Sequence, residues 1–307
     1  MDLIFIADLL AATLAATVPL ALCVTGVVIG ERSGVLNLGQ EGIMLMGAVC
    51  AFMVALNSGS YLLASLAGAA VGAAMGAAFA LLTLVFQSNA VATGLALTIF
   101  GTGLSAFLGE AYVGESISGL GPLLPEALRT VPLLGPVFFG HDALFYAALV
   151  LCLLVHRVLH TQRVGLMVSA VGENPETAHR LGLPVLRTRW LTAIIGCAFT
   201  GLGGAYLAIV YTPLWTEGMT AGRGWIALAL VVLAGWRVSW GLLAAFGFGF
   251  ISISNLVLQG LGVTIPVNLL ATLPFVMCLL ALVIVSSGRR SEREPPRSLG
   301  QTYIKEN

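Results

Sequence analysis

The chain has 307 residues, of which 58% are hydrophobic and 9% charged, and its 14 basic residues balance 14 acidic ones. With a mean hydropathy of +0.99, it carries no basic field for a nucleic acid and far more apolar sequence than a soluble core requires. The apolar runs are long and unalternating, which excludes a β-barrel and points to an all-α polytopic membrane protein with roughly nine or ten spans.

The first run, Leu3 to Gly30, is too long for a signal-peptide core and has no basic residue before Arg32, so it is expected to remain as a span. A polar, glycine-bearing segment, Glu31-Arg32-Ser33-Gly34-Val35-Leu36-Asn37-Leu38-Gly39-Gln40-Glu41-Gly42, opens the second run, 34–56. The third run, 61–86, places Gly68, Gly72 and Gly76 at four-residue spacing, with Ala64 and Ala80 on the same face. Such a stripe lets another helix approach closely. A fourth run, 90–109, leads into the connection Glu110 to Asp142, rich in glycine and proline and bearing Glu115 and Glu126. It reads either as a docking surface for an extracytoplasmic protein or as a loosely ordered connection.

After a run at 143–159, a polar connection from about 160 to 189 holds His160, Arg163, His179, Arg180, Arg187 and Arg189. The positive-inside tendency places it in the cytoplasm. Within it, Asn174 is a good N-cap, Pro175 fits the first helical position, Glu176 favours the positive dipole end, and Gly182 can close the C-terminus. The spacing predicts about two turns of helix over 175–181, which is either a capped surface loop or a handle for a cytosolic partner. Further runs follow at 190–211, 225–236, 240–260 and 267–286. The parity then puts the N-terminus outside and the C-terminus inside. One transmembrane domain, 1–288, precedes a polar cytoplasmic tail, 289–307.

The run at 225–236 is too short to cross as a straight helix, and it is preceded by Thr212-Pro213-Leu214-Trp215-Thr216-Glu217-Gly218-Met219-Thr220-Ala221-Gly222-Arg223-Gly224. Together with 31–42 this gives two broken or re-entrant segments that enter from opposite sides. Such a pair suggests an inverted internal repeat with the transport pathway between its halves. Asn37, Gln40, Glu41, Thr220 and Arg223 are candidates for a polar lining or gate. A second reading is equally open: Glu41 as a structural clamp, capping backbone amides or pairing with Arg32 or Arg223. Among aromatic residues, Phe100, Phe107, Tyr211 and Trp215 are candidates for stacking on a solute, although interfacial anchoring is the commoner use.

Cys23, Cys50, Cys152, Cys197 and Cys278 are scattered singly and have no metal-binding or redox spacing. The only lysine, Lys305, lies in the tail, so a nucleotide-binding P-loop is absent. If ATP drives this protein, a partner binds it. An ion-coupled secondary transporter is the main rival, yet Glu41 is the only good ionisable candidate within the spans. An intramembrane enzyme lacks a recoverable Ser/His/Asp or metal constellation.

The stretch from Glu31 to Gly42, continuing Ile43-Met44-Leu45-Met46-Gly47-Ala48, closely resembles the opening motif of permease subunits of bacterial ABC importers for nucleosides and simple sugars. That group includes ribose and branched-chain amino acid permeases. Gly172-Glu173-Asn174-Pro175-Glu176-Thr177-Ala178 with Leu181-Gly182, and Thr220-Ala221-Gly222-Arg223-Gly224-Trp225-Ile226-Ala227-Leu228-Ala229-Leu230, agree with it in order. The resemblance implies that 173–182 is the coupling helix, with Glu173, Asn174, Pro175, Glu176, Ala178, Arg180 and Gly182 facing a separate ATPase subunit that binds ATP and Mg. It implies no cofactor in this chain. It also implies a second permease, usually a paralogue, and an extracytoplasmic substrate-binding protein, all at the bacterial inner membrane among its lipids. The form of the first motif is nearest the nucleoside branch, and a simple sugar such as a pentose is the alternative.

Overall fold

The computed structural model describes residues 3–131, 134–260, 272, 275, 276, 278–280, 283, 294–301 and 303. Among these residues the ordered structure is helical, and seven helices are long and apolar enough to cross a membrane. The run expected at 267–286 lies largely outside the described residues.

Helix α1 spans Leu3–Glu31, α2 Gln40–Ser58 and α3 Tyr61–Ala80, the last prolonged by a π turn at Leu81–Val85. Helix α4 covers Ala90–Gly109 and the short α5 Glu126–Arg129. Next come α6, Ala143–Thr161, and α7, Arg163–Glu173. Helix α8, Pro175–Arg180, precedes α9, Val185–Tyr206, which a π turn extends to Tyr211. Helices α10, Arg223–Leu233, and α11, Val238–Gly260, follow. The second span therefore starts six residues later than its apolar pattern suggests, because 34–39 is not helical.

Side-chain caps set several of the starts. Ser60, Asn89 and Asp142 each accept a backbone N–H three residues on, from Leu63, Ala92 and Phe145. Each cap satisfies one of the orphan donors that a helix leaves at its N-terminus.

Helix α9 is the axis of the bundle, ringed by α1, α2 and α3, while α11 packs on α1 and α4 on α2. Small residues make this ring possible. A Cβ built on Gly196 would lie 2.5 Å from the Gly26 carbonyl oxygen of α1, and one on Gly42 would lie 2.7 Å from the Leu97 carbonyl oxygen of α4. Gly47 and Gly68 both face Gly201, and Gly72 abuts the Cys197 carbonyl, so the stripe on α3 packs against α9. Helices α4 and α6 turn Ile99, Phe107, Val150 and Leu154 outward, where lipid or a second subunit can meet them.

Replacing Gly201 by Leu would drive a side chain into the Gly68 carbonyl and the Gly72 Cα. The expected cost is at least the roughly 1–3 kcal/mol of ordinary overpacking. It should appear as loss of a monodisperse species on size exclusion in detergent. Gly247→Ala, where an added Cβ meets nothing within 4 Å, should behave as the native protein.

Candidate functional site

Helix α9 serves as a ruler for depth. Measured from Arg189 near its first turn, Cys197, Thr200 and Gly204 lie about 12, 16 and 22 Å further along at 1.5 Å per residue. The segment 34–39 runs beside it. The Asn37 amide donates to the Cys197 sulfur at 3.3 Å, Thr200 donates its hydroxyl to Gln40 Oε1 at 2.6 Å, and Met44 lies against Gly204. The chain thus leaves the basic end of the bundle without helical bonding, and α2 begins near mid-depth.

Non-helical backbone at that depth needs partners, and the motif supplies them. Asn37 Oδ1 accepts from the Gly39 N–H at 2.8 Å, Gln40 Nε2 donates to the Asn37 carbonyl at 3.2 Å, and Thr98 of α4 donates to the Leu38 carbonyl at 3.1 Å.

From the other end, the segment 212–222 descends to meet it. It is tied to the 110–142 connection, where Ile117 donates its N–H to the Pro213 carbonyl at 3.1 Å. Its last turn uses left-handed backbone at Ala221 (φ 48°) and Gly222 (φ 81°). Helix α10 then starts beside Glu41. Glu41 Oε1 accepts from the Thr220 hydroxyl at 2.5 Å and the Gly222 N–H at 2.8 Å, and Oε2 accepts from the Gly224 N–H at 2.7 Å. A Cβ on Gly224 would sit 2.5 Å from the Glu41 backbone nitrogen, so the approach requires glycine. Helix α10 continues toward the basic end, where Trp236 donates its indole N–H to Glu31 Oε2 at 2.5 Å.

Helices α2 and α10 therefore start at one point and run in opposite directions. Their positive dipole ends converge on the Glu41 carboxylate, itself 8% exposed. The arrangement is an amide cap. No ion pair joins Glu41 to Arg32 or Arg223; Arg223 turns back to the Met219 and Thr220 carbonyls at 3.3 and 3.2 Å. Of the aromatic candidates, Trp215 is fully buried against Gly109 and offers no open face, while Phe100 and Phe107 point outward from α4.

The second cluster lies at the basic end. Asn174 Oδ1 accepts from the Thr177 N–H at 2.9 Å, and Gly182 takes φ 81°, so both ends of α8 close as their residues predict. Glu173, Asn174, Glu176 and Arg180 are exposed and Pro175 is half-buried, whereas Ala178 is buried with Val171, Val185 and Tyr303. The tail thus packs on the helix. Ser298 donates to the Gly172 carbonyl through both its N–H, at 3.0 Å, and its hydroxyl, at 2.6 Å, and Gly300 donates its N–H to the Gly34 carbonyl at 3.0 Å.

Arg189, 1% exposed, joins these pieces. It donates to the Ser33 carbonyl at 3.1 Å, the Gln301 carbonyl at 3.1 Å and the Ser298 hydroxyl at 2.8 Å, and its guanidinium lies 5.9 Å from the Tyr303 ring centre. Sequence reasoning counted Arg189 only as one of several basic loop residues and assigned the tail no contact. An arginine at the edge of an apolar run, Arg189 before the run at 190–211, is the signal it left unused.

Glu41→Gln removes one acceptor and turns an amide NH2 toward a backbone N–H, leaving a buried donor unmatched at about 1–3 kcal/mol. Its melting temperature should fall below that of the native protein, and Glu41→Ala should fall further. Unchanged melting of both variants would show that the carboxylate does not hold the junction.

Residues 9–285 match the family described as the permease component of the branched-chain amino acid transport system. The chain is 43% identical to a protein of Haloferax volcanii named for a glucose ABC transporter permease, over 86% of this chain and 82% of that one. It is 30% identical to a guanosine ABC transporter permease of Bacillus subtilis over 99% of each. Against a nucleoside ABC transporter permease of Lactococcus lactis it is 29% identical, over 94% and 93%. Seven apolar helices, two half-length segments meeting at mid-depth and this match over most of the chain lead to one conclusion: the protein belongs to the branched-chain amino acid transport permease family, as a membrane-spanning ABC transporter subunit.

Proposed function

We propose that this chain forms part of the solute pathway of an ATP-driven importer of nucleosides, and that Pro175–Arg180 is the helix through which a separate ATPase drives it. The observation that carries this reading is a continuous line of contacts. Ala178 of α8 packs on Tyr303; Tyr303 lies beside Arg189; Arg189 holds the Ser33 carbonyl; and Ser33 opens the segment that ends at Glu41. A displacement of α8 has a path to mid-depth that does not pass through lipid.

In this reading the basic end faces the cytoplasm, the N-terminus lies outside, and ATP and Mg reside on the partner ATPase. A second permease, a paralogue or another copy, covers the outward faces of α4 and α6, and a substrate-binding protein delivers solute near the 110–142 connection. The junction presents amides and hydroxyls with a single, fully capped carboxylate, which suits a neutral solute. Asn37, Gln40, Glu41, Thr220 and Arg223 shape that junction; in one chain they are bonded to each other, so they position the gate rather than bind solute directly. The matched breaks on α2 and α10 support an inverted repeat.

The guanosine and nucleoside permeases resemble this chain over nearly its full length, which favours nucleosides. The second reading, a simple sugar, rests on the higher identity to the Haloferax protein.

Charge reversal at Glu173 or Arg180 leaves the exposed surface soluble and the buried Ala178 contact intact. Both variants should assemble, hydrolyse ATP and lose most solute uptake; normal uptake in both would remove α8 from the coupling role. Uptake of radiolabelled nucleosides, pentoses and glucose, with an intact or inactivated ATPase, tests the whole. ATPase-dependent nucleoside uptake is the expected result. ATPase-dependent sugar uptake would move the substrate, and uptake indifferent to the ATPase would overturn the mechanism.

A further inference from the structure

At the end of the bundle opposite Arg189, the chain from Leu214 to Gly218 runs along the surface with one exception. Leu214, Thr216, Glu217 and Gly218 are exposed, whereas Trp215 among them is fully buried. Its ring is seated on the last residue of α4. A Cβ built on Gly109 would lie 2.1 Å from the indole Nε1, 2.4 Å from Cε2 and 2.7 Å from Cζ2, so only glycine leaves room for the ring. Two ties hold the same stretch from the side: the Ile117 N–H donates to the Pro213 carbonyl at 3.1 Å, and Ser116 forms an antiparallel bridge with Leu214. Trp215 belongs to the apolar core built on α2, α3 and α9, and Tyr112, Ile117 and Met219 pack against that core. A single side chain thus anchors the start of the segment that ends at Glu41.

Shape is satisfied at this seat, and hydrogen bonding is not. The indole Nε1 is buried without a hydrogen-bond partner. Other polar groups of the segment are served: the Thr212 hydroxyl donates to the Leu207 carbonyl at 3.1 Å, and the Thr220 hydroxyl and Gly222 N–H reach Glu41. A buried donor with no acceptor forfeits the hydrogen bond that water would give it, so packing holds the ring against a standing penalty. Relief is one residue away. Because Leu214 and Thr216 are exposed on either side, a small lift of the stretch brings the N–H to water. Packing favours the seated ring and hydration the released one, and such opposition is what a two-position element requires.

We propose that Trp215 is a latch for the segment 212–222. Seated on Gly109, the ring holds the segment against α4 and keeps Thr220 and Gly222 on the Glu41 cap; released, it lets the segment lift and gives its N–H to water. Trp215 is a positioning residue that acts through the Glu41 junction and touches no solute. The inference rests on the reading of 212–222 as the outer part of the solute pathway.

The test uses the assembled transporter, with its ATPase, second permease and binding protein, in nanodiscs, at rest and arrested with ATP and vanadate. Iodide quenching of tryptophan fluorescence, native minus Trp215→Phe, isolates the contribution of this indole. It should be shielded in one state and quenched severalfold more in the other. In Gly109→Ala, where the seat is filled, the indole should be open to iodide in both states. Hydrogen exchange of the 212–222 amides in the native transporter should change between the same two states, which keeps the latch testable if either variant fails to fold. Quenching and exchange that are identical at rest and on arrest overturn the latch, as does a shielded ring in a folded Gly109→Ala variant. ATPase-driven uptake in proteoliposomes together with an immobile Trp215 defeats the latch alone; uptake indifferent to the ATPase defeats the pathway reading on which it rests, and the latch with it.

Discussion

The architecture depends on one buried carboxylate capping the N-terminus of a helix that is not its own. Glu41 belongs to the first turn of α2, yet it accepts from Thr220, Gly222 and Gly224 at the start of α10. An isolated carboxylate at that depth would be strongly disfavoured; three donors and two dipole ends make it a stabilising tie. Without it, the Gly222 and Gly224 N–H groups would be left unpaired in a low-dielectric interior. The same geometry explains the glycine at 224, since a carboxylate can reach those amides only where a side chain is missing.

The helices around this junction are held by shape rather than by chemistry. Lipid tails are as apolar as the spans, so association rests on close backbone approach. The glycines of α3, α2 and α1 meet those of α9 from three sides. This leaves α9 rigid and central, with polar groups placed along it at separate depths: Arg189 at the basic end, then Thr192 bonded to Ser33, Cys197 with Asn37, and Thr200 with Gln40. The re-entrant segment is fastened to this scaffold at successive levels.

The sequence disclosed most where local chemistry decides the outcome. Asn174, Pro175 and Gly182 define α8 almost to the residue, and Gly68, Gly72 and Gly76 mark a packing face, because caps and small-residue stripes act over a few positions. The break at 31–42 was legible as an interruption, but its extent was not: Val35, Leu36 and Leu38 are apolar and extend the hydrophobic run, although they lie outside any helix. A gate group and a structural clamp both followed from the type and place of Glu41, and the amides it caps, at Gly222 and Gly224, stand 181 and 183 residues away, beyond the reach of any local pattern. The tail illustrates the remaining limit, since its polar composition resembles a solvated end until Ser298 and Tyr303 are seen against Arg189. Contacts of that range leave no periodic trace.

The bonds of Arg189 also bear on how the protein is made. Its partner Ser298 lies 109 residues downstream, so α9 enters the membrane long before the groups that saturate its guanidinium have been synthesised. During that interval a nascent chain holds α8 by its own caps and by Ala178 against Val171 and Val185, and the basic end closes only when the C-terminal residues arrive. Closure of the basic end is thereby tied to completion of translation, and an unfinished chain leaves Arg189 without its Ser298 and Gln301 acceptors.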